Sequence, residues 1–214
     1  MFRPLAIVAA TALLSSAGQA NAVTLSFDTL AVGTVLTNQY SAQGAVFSAN
    51  VFTGPGSSSS GSAWASNTDM TIVSSTGTDV GALGAPSLVS GNLLRSFAGW
   101  LTENGDPSFR VNFTTPVNSF SATFAGVSTA ADATLYAYNG ASLLGSVSGT
   151  SAGQFVLSFA AASITAVAVR PGSFNDWVGV DNITFAPLPV PEPGTWVLMA
   201  VGLSLMAFRL RRQA

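Results

Sequence analysis

The chain has 214 residues, of which 48% are hydrophobic and only 7% are charged. Charged residues make up about 25% of an ordinary soluble domain, so much of the apolar excess must sit in special segments. The basic residues are Arg3, Arg95, Arg110, Arg170, Arg209, Arg211 and Arg212, with no lysine. Between the termini three of them face eight acids, Asp28, Asp69, Asp79, Glu103, Asp106, Asp132, Asp176 and Asp181. That acidic balance gives no electrostatic footprint for nucleic acid. Cysteine and histidine are both absent. Their absence removes disulfides, thiolate metal sites, the Ser-His and Cys-His nucleophile pairs and the usual general base. Only carboxylate chemistry stays open to an enzyme, and the chain reads as a non-enzyme.

The first 22 residues read as a secretory signal peptide. Arg3 supplies the positive end, residues 5–14 the apolar run, and Ala20 and Ala22 the small side chains before a cleavage point after Ala22.

Residues 23–187 read as one β domain. Runs rich in β-formers fall at 23–27, 44–49, 70–73, 95–101, 109–114 and 117–125, and continue at 133–138, 142–148, 154–159, 163–170 and 178–185. Alternation is clearest in Phe109, Val111 and Phe113, and again in Phe120, Ala122 and Phe124. Each set predicts one face turned inward. Thr115-Pro116 predicts a tight link between two separate strands, and Asn139-Gly140 a type I′ hairpin turn. The Gly/Ser-rich stretch at 54–62 predicts a loop. Short strands at this spacing predict an all-β antiparallel sandwich. Their order resembles jelly-roll carbohydrate-binding modules and related surface domains.

That resemblance implies a structural Ca²⁺ held between an acid of the first strand and one of the last, here Asp28 and Asp181. Ca²⁺ takes six to eight oxygens, so backbone carbonyls and water would complete the shell. Without the metal, both aspartates would serve as turn or strand-end caps. For sugar stacking the aromatic candidates are Tyr40, Trp64, Trp100, Tyr138 and Trp177. Trp64 and Trp100 are favoured because each adjoins a polar loop. Glu103 and Asp106 are the closely spaced carboxylates that a glycoside hydrolase would use, although a turn explains the same residues.

The C-terminus has three parts in order. Residues 188–194 form a proline-rich linker containing Val190-Pro191-Glu192-Pro193. Residues 195–208 carry no charge and read as a transmembrane helix, and residues 209–214 form a basic tail with Arg209, Arg211 and Arg212. The arginines would remain cytoplasmic, leaving the rest of the chain outside. The prolines hold the linker extended and open to a protease. This arrangement resembles the PEP-CTERM sorting signal of Gram-negative bacteria. The resemblance implies processing by an exosortase, a membrane-embedded enzyme of species that make exopolysaccharide. The expected protein is therefore an exported, inner-membrane-tethered precursor destined for the cell surface or biofilm matrix. A carbohydrate-binding module is the alternative.

Overall fold

The computed structural model describes residues 21–49, 68–76, 87–98, 108–130, 133–170, 178–188 and 193–211. The expected signal peptide lies outside them except for Asn21 and Ala22, as does the Gly/Ser-rich stretch. The chain divides into two units, one spanning Asn21–Leu188 and the other comprising Met1–Ala20 with Pro189–Ala214.

The larger unit is antiparallel β-sheet. Its strands are β1 (Val23–Leu25), β2 (Ala45–Ala49), β3 (Thr68–Ser74), β4 (Asn92–Ala98), β5 (Phe109–Val127), β6 (Thr134–Asn139), β7 (Ser142–Ser148), β8 (Gly153–Arg170) and β9 (Val178–Pro187). They hydrogen-bond in the order β3-β4-β9-β5-β8-β6-β7, with β1 added to β9 and β2 to β5. The all-β expectation holds.

Two long strands turn this sheet into a sandwich-like body. The first part of β5 pairs with β2 and with the last part of β8. The remainder of β5 pairs with the first part of β8 and with β9. Register shifts separate the two parts between Asn112 and Ser119. A bulge bends its strand and resets which residues face inward. The core side chains of β5 show this: Phe109, Val111 and Val117 are odd-numbered, Phe120, Ala122 and Phe124 are even, and Val127 is odd again beyond another shift. Each change of parity keeps an apolar face on one interior. That interior draws from β1, β2, β3, β4, β5, β6, β8 and β9. Aromatic rings connect it, with Phe113 centred 5.0 Å from Phe185 and 6.1 Å from Phe120.

Two local expectations are corrected. Thr115-Pro116 does not separate two strands but lies within β5, where the bulge accommodates a residue that cannot donate to a ladder. The β6–β7 hairpin pairs Asn139 with Ser142, so its loop is Gly140-Ala141. Gly140 has φ +58°, while neither Asn139 nor Ala141 is left-handed, so the turn is type II′ rather than I′.

In the smaller unit, helix α1 covers Pro193–Arg211. Proline suits its opening position because its missing N–H would be unpaired there. The expected membrane-spanning segment at 195–208 is corrected: among the described residues no helix is long and apolar enough to cross a membrane. An uncharged stretch of 14 residues is about 21 Å of helix, against roughly 30 Å of hydrocarbon. The helix also takes in Arg209 and Arg211, so those charges occupy its last turn instead of a separate tail. Cations are favoured at that end by the helix dipole.

Candidate functional site

The structure brings Asp28 and Asp181 together at a seam in the sheet. β9 carries β1 along residues Ile183–Phe185 and β4 along Val178–Val180, both on one edge. Between these stretches β9 holds an extra residue against β5, where Ser121 pairs with Thr184 and Thr123 with Asp181. Asn182 takes φ +49° there, the only non-glycine residue with positive φ among those described. Asparagine tolerates this left-handed conformation better than most residues. The bulge leaves Asp181 only 3% exposed in the gap between β1 and β4.

Three segments enclose the gap. The chain leaving β1 supplies Ser26 and Asp28, and the chain entering β4 supplies Ser90, Gly91 and Asn92. Asp28 Oδ1 accepts from the Asn92 backbone N–H at 2.8 Å, and Oδ2 accepts from the Ser26 hydroxyl at 2.7 Å. The Asn92 amide donates to the Leu30 carbonyl at 2.8 Å, pinning the two segments together. Asp181 accepts from the backbone N–H and the side-chain amide of Asn182, and from the Ser90 backbone N–H. Tyr40 closes the inner side by donating its hydroxyl to the Ser26 carbonyl at 2.6 Å.

The two carboxylates differ in how readily they ionise. Burial pushes Asp181 up to about 6, with the negative charge of Asp28 adding to the effect and hydrogen bonds opposing it. Asp28 is exposed, and its hydrogen bonds to Ser26 and Asn92 hold it below the usual carboxylate value. An ionised Asp181 is therefore costly in the fold, and a cation between the two acids would remove that cost. The donor set is hard oxygen. Among the described residues no group of three His, Cys, Asp or Glu side chains gathers. Ca²⁺ fits two carboxylates only with backbone oxygens and water completing its shell, as the sequence reading required.

Beside this seam the outer face of the sheet carries a row of hydroxyls. Thr24 pairs with Thr184, Thr184 with Ser121, and Ser121 with Ser158, so the row crosses β1, β9, β5 and β8. The Thr24 and Thr184 hydroxyls are 2.8 Å apart. A shallow depression of about 400 Å³ opens on this row, lined by Ser119, Ser121, Ser158, Ala160 and Thr184.

Of the aromatic candidates, Tyr40 and Tyr138 are core residues, 6% and 3% exposed, and so are not available for stacking. Arg110 lies over the Tyr138 ring at 5.9 Å. Trp64, Trp100, Trp177, Glu103 and Asp106 fall outside the described residues, as do Val190, Pro191, Glu192 and Arg212. Sequence reasoning missed Ser90, Gly91, Asn92 and Asn182 as parts of the seam. Ser90-Gly91-Asn92 is a turn signal that marks a tight approach.

Residues 189–213 match the PEP-CTERM protein-sorting motif. The tail is similar to a sorting signal. The PEP-CTERM motif implies export and processing by an exosortase, as its proline pair, apolar helix and arginines led one to expect. No curated protein matches the chain.

Proposed function

We propose that this chain is a cell-surface or extracellular-matrix protein of a Gram-negative bacterium, exported by its N-terminal signal and handled by an exosortase. Its β unit acts by binding and assembly and not by catalysis. The observation that carries this reading is the PEP-CTERM motif at residues 189–213. The lack of histidine and cysteine supports the non-catalytic part. Mass spectrometry of the mature protein from its native host tests it. The expected C-terminus lies near Pro191-Glu192-Pro193, and a mature chain still ending at Ala214 would contradict exosortase sorting.

The hydroxyl row favours a second reading, in which the unit holds a neutral polysaccharide such as an exopolysaccharide. Thr24, Thr184, Ser121 and Ser158 provide donors and acceptors on neighbouring strands, which lie about 4.8 Å apart. Trp64 and Trp100 remain the stacking candidates, and the jelly-roll likeness supports the same reading. Glycan-array binding that is lost in Ser121→Val with Ser158→Val assigns the ligand to the row. Loss in Trp64→Ala or Trp100→Ala assigns it to stacking, and no binding to any glycan leaves the structural role alone. Asp28 and Asp181 are proposed to hold a structural Ca²⁺ in this unit. Calorimetric titration of chelator-treated protein with CaCl₂ tests that assignment, and absence of both heat and a Tm shift removes it.

A further inference from the structure

The open edges of this sheet are unevenly protected. The outer edge of β3 is covered by the segment from Gly33 to Leu36, through the bonds Gly33 N–H to Ile72 C=O, Ile72 N–H to Thr34 C=O and Leu36 N–H to Met70 C=O. The segment from Thr37 to Tyr40 covers β2, since the N–H groups of Phe47 and Ala45 donate to the carbonyls of Thr37 and Tyr40. The opposite side of the unit has no such cover among the described residues. There β7 pairs, among the described strands, only with β6. The pairing of β6 with β8 stops at Ala166, so no described strand lies on that side of β8 over residues 155–163.

These two uncovered strands lie one above the other. A Cβ on Gly145 of β7 would lie 3.0 Å from the Phe159 ring, and one on Gly149 just beyond β7 would lie 2.5 Å from the Phe155 ring. Both layers therefore end on the same side. Exposed large apolar residues gather there. Of six in the described part of the β unit, Leu143 and Leu144 are on β7 and Val156 is on β8, at 43%, 40% and 56% exposure. Leu88, 46% exposed, is tied to β8 by its N–H bond to Gln154 Oε1. Neither β7 nor residues 153–169 contain a charge. Natural sheets blunt exposed edges with lysine, proline or covering segments, and this side has none of these within its strands.

We propose that this side of the sandwich is a self-association surface, where a second copy of the chain pairs antiparallel with β8 across a two-fold axis. An isologous contact requires one patch to complement itself. A neutral strand meets its own copy without repulsion, and the edge N–H and C=O groups of β8 that pair with no described strand match those of the copy. With the axis at Ser158, Ser158 of each copy faces its counterpart and Val156 of one copy faces Ala160 of the other. Opposed residues share a face, so the row Thr24, Thr184, Ser121, Ser158 runs on unbroken into the second copy. This surface does not depend on the sorting tail or on any glycan.

Light scattering of the full-length chain over a concentration series tests the proposal, with two lysine variants. Val156→Lys is expected to shift the monomer–dimer midpoint at least tenfold upward in concentration. Val32→Lys, at a residue 60% exposed elsewhere, is expected to leave it unchanged. Because the chain has no cysteine, Ser158→Cys is expected to give a disulfide-linked dimer on mild oxidation and Val32→Cys to give none. A monomer at every concentration, or a dimer insensitive to Val156→Lys and not linked through residue 158, overturns it.

Discussion

Gly91 lies directly against Asp28: its backbone adopts φ +69°, and a methyl group on its α-carbon would overlap the Asp28 carboxylate. The acid is thereby held over a position only glycine can occupy, with Oδ1 on the neighbouring Asn92 N–H. Gly91→Ala should lower stability by about 2–3 kcal/mol, combining a left-handed backbone with the displaced carboxylate. Gly33 offers the comparison, with φ +89° and nothing within 4 Å of a Cβ. Gly33→Ala should cost about 1 kcal/mol from the backbone alone. Urea denaturation of both variants checks this, and equal losses would show that the Asp28 contact is worth nothing.

The raised Asp181 makes stability depend on pH. The folded chain keeps a proton up to about pH 6 that the unfolded chain releases near 3.8. Its contribution is therefore fully present below 3.8 and is lost as the pH rises through 6. The loss is on the order of 3 kcal/mol. Asp28 acts with the opposite sign in a lower window. Its carboxyl is held below 3.8 by Ser26 and Asn92, so its contribution is present above that value and lost on further acidification. Denaturant curves of metal-free protein at pH 4.5 and 7.5 should show wild type losing stability relative to Asp181→Asn across that interval. Parallel curves for the two proteins would refute the assignment.

Tyr40 joins the seam to the core. Its hydroxyl donates to the Ser26 carbonyl, and its ring packs edge-on against Phe27 with centroids 5.8 Å apart. Tyr40→Phe keeps the ring and strands a carbonyl, at a cost of about 1–2 kcal/mol. Tyr40→Ala adds a cavity and should cost about 3–5 kcal/mol. Thermal melts of the two variants separate the hydrogen bond from the packing.

Gly149 is buried and leaves no room beside Phe155. Gly149→Ala should cost about 1–3 kcal/mol through overpacking. Adding Phe155→Leu should recover part of that loss, a coupling that a double-mutant cycle reads directly. Strictly additive losses would mean that the two residues do not share the space.

The strands were legible in the sequence because one face of each is apolar at every second position. Phe109–Val111–Phe113 and Phe120–Ala122–Phe124 announced their inward faces correctly. The continuity between them was not legible. The parity of the inward residues changes across the bulge, and an alternation rule reads such a change as an end and a new beginning. The same physics hid the seam. Asn182 in a left-handed bend turns Asp181 out of the ordinary alternation of β9, and nothing local in the sequence marks that bend. The meeting of Asp28 with Asp181 was expected only from likeness to another domain class. The burial of Tyr40 and Tyr138 depends on contacts with residues far along the chain, Phe27 for the former and Arg110 for the latter.

The placement of β9 has a mechanical consequence. This strand has hydrogen-bonded neighbours on both sides, β5 on one and β1 with β4 on the other. It is also the last strand before the tail, and the chain leaves it at Pro187, with the Leu188 N–H bonded to the Pro116 carbonyl. A pull transmitted through the tail thus enters along the axis of an interior strand. The ladder bonds lie across that axis and share the load together, so they must fail as a group instead of opening one by one. An edge strand in the same position would peel. A protein held by its C-terminal end against flowing water would be gripped at the part of its sheet that yields last.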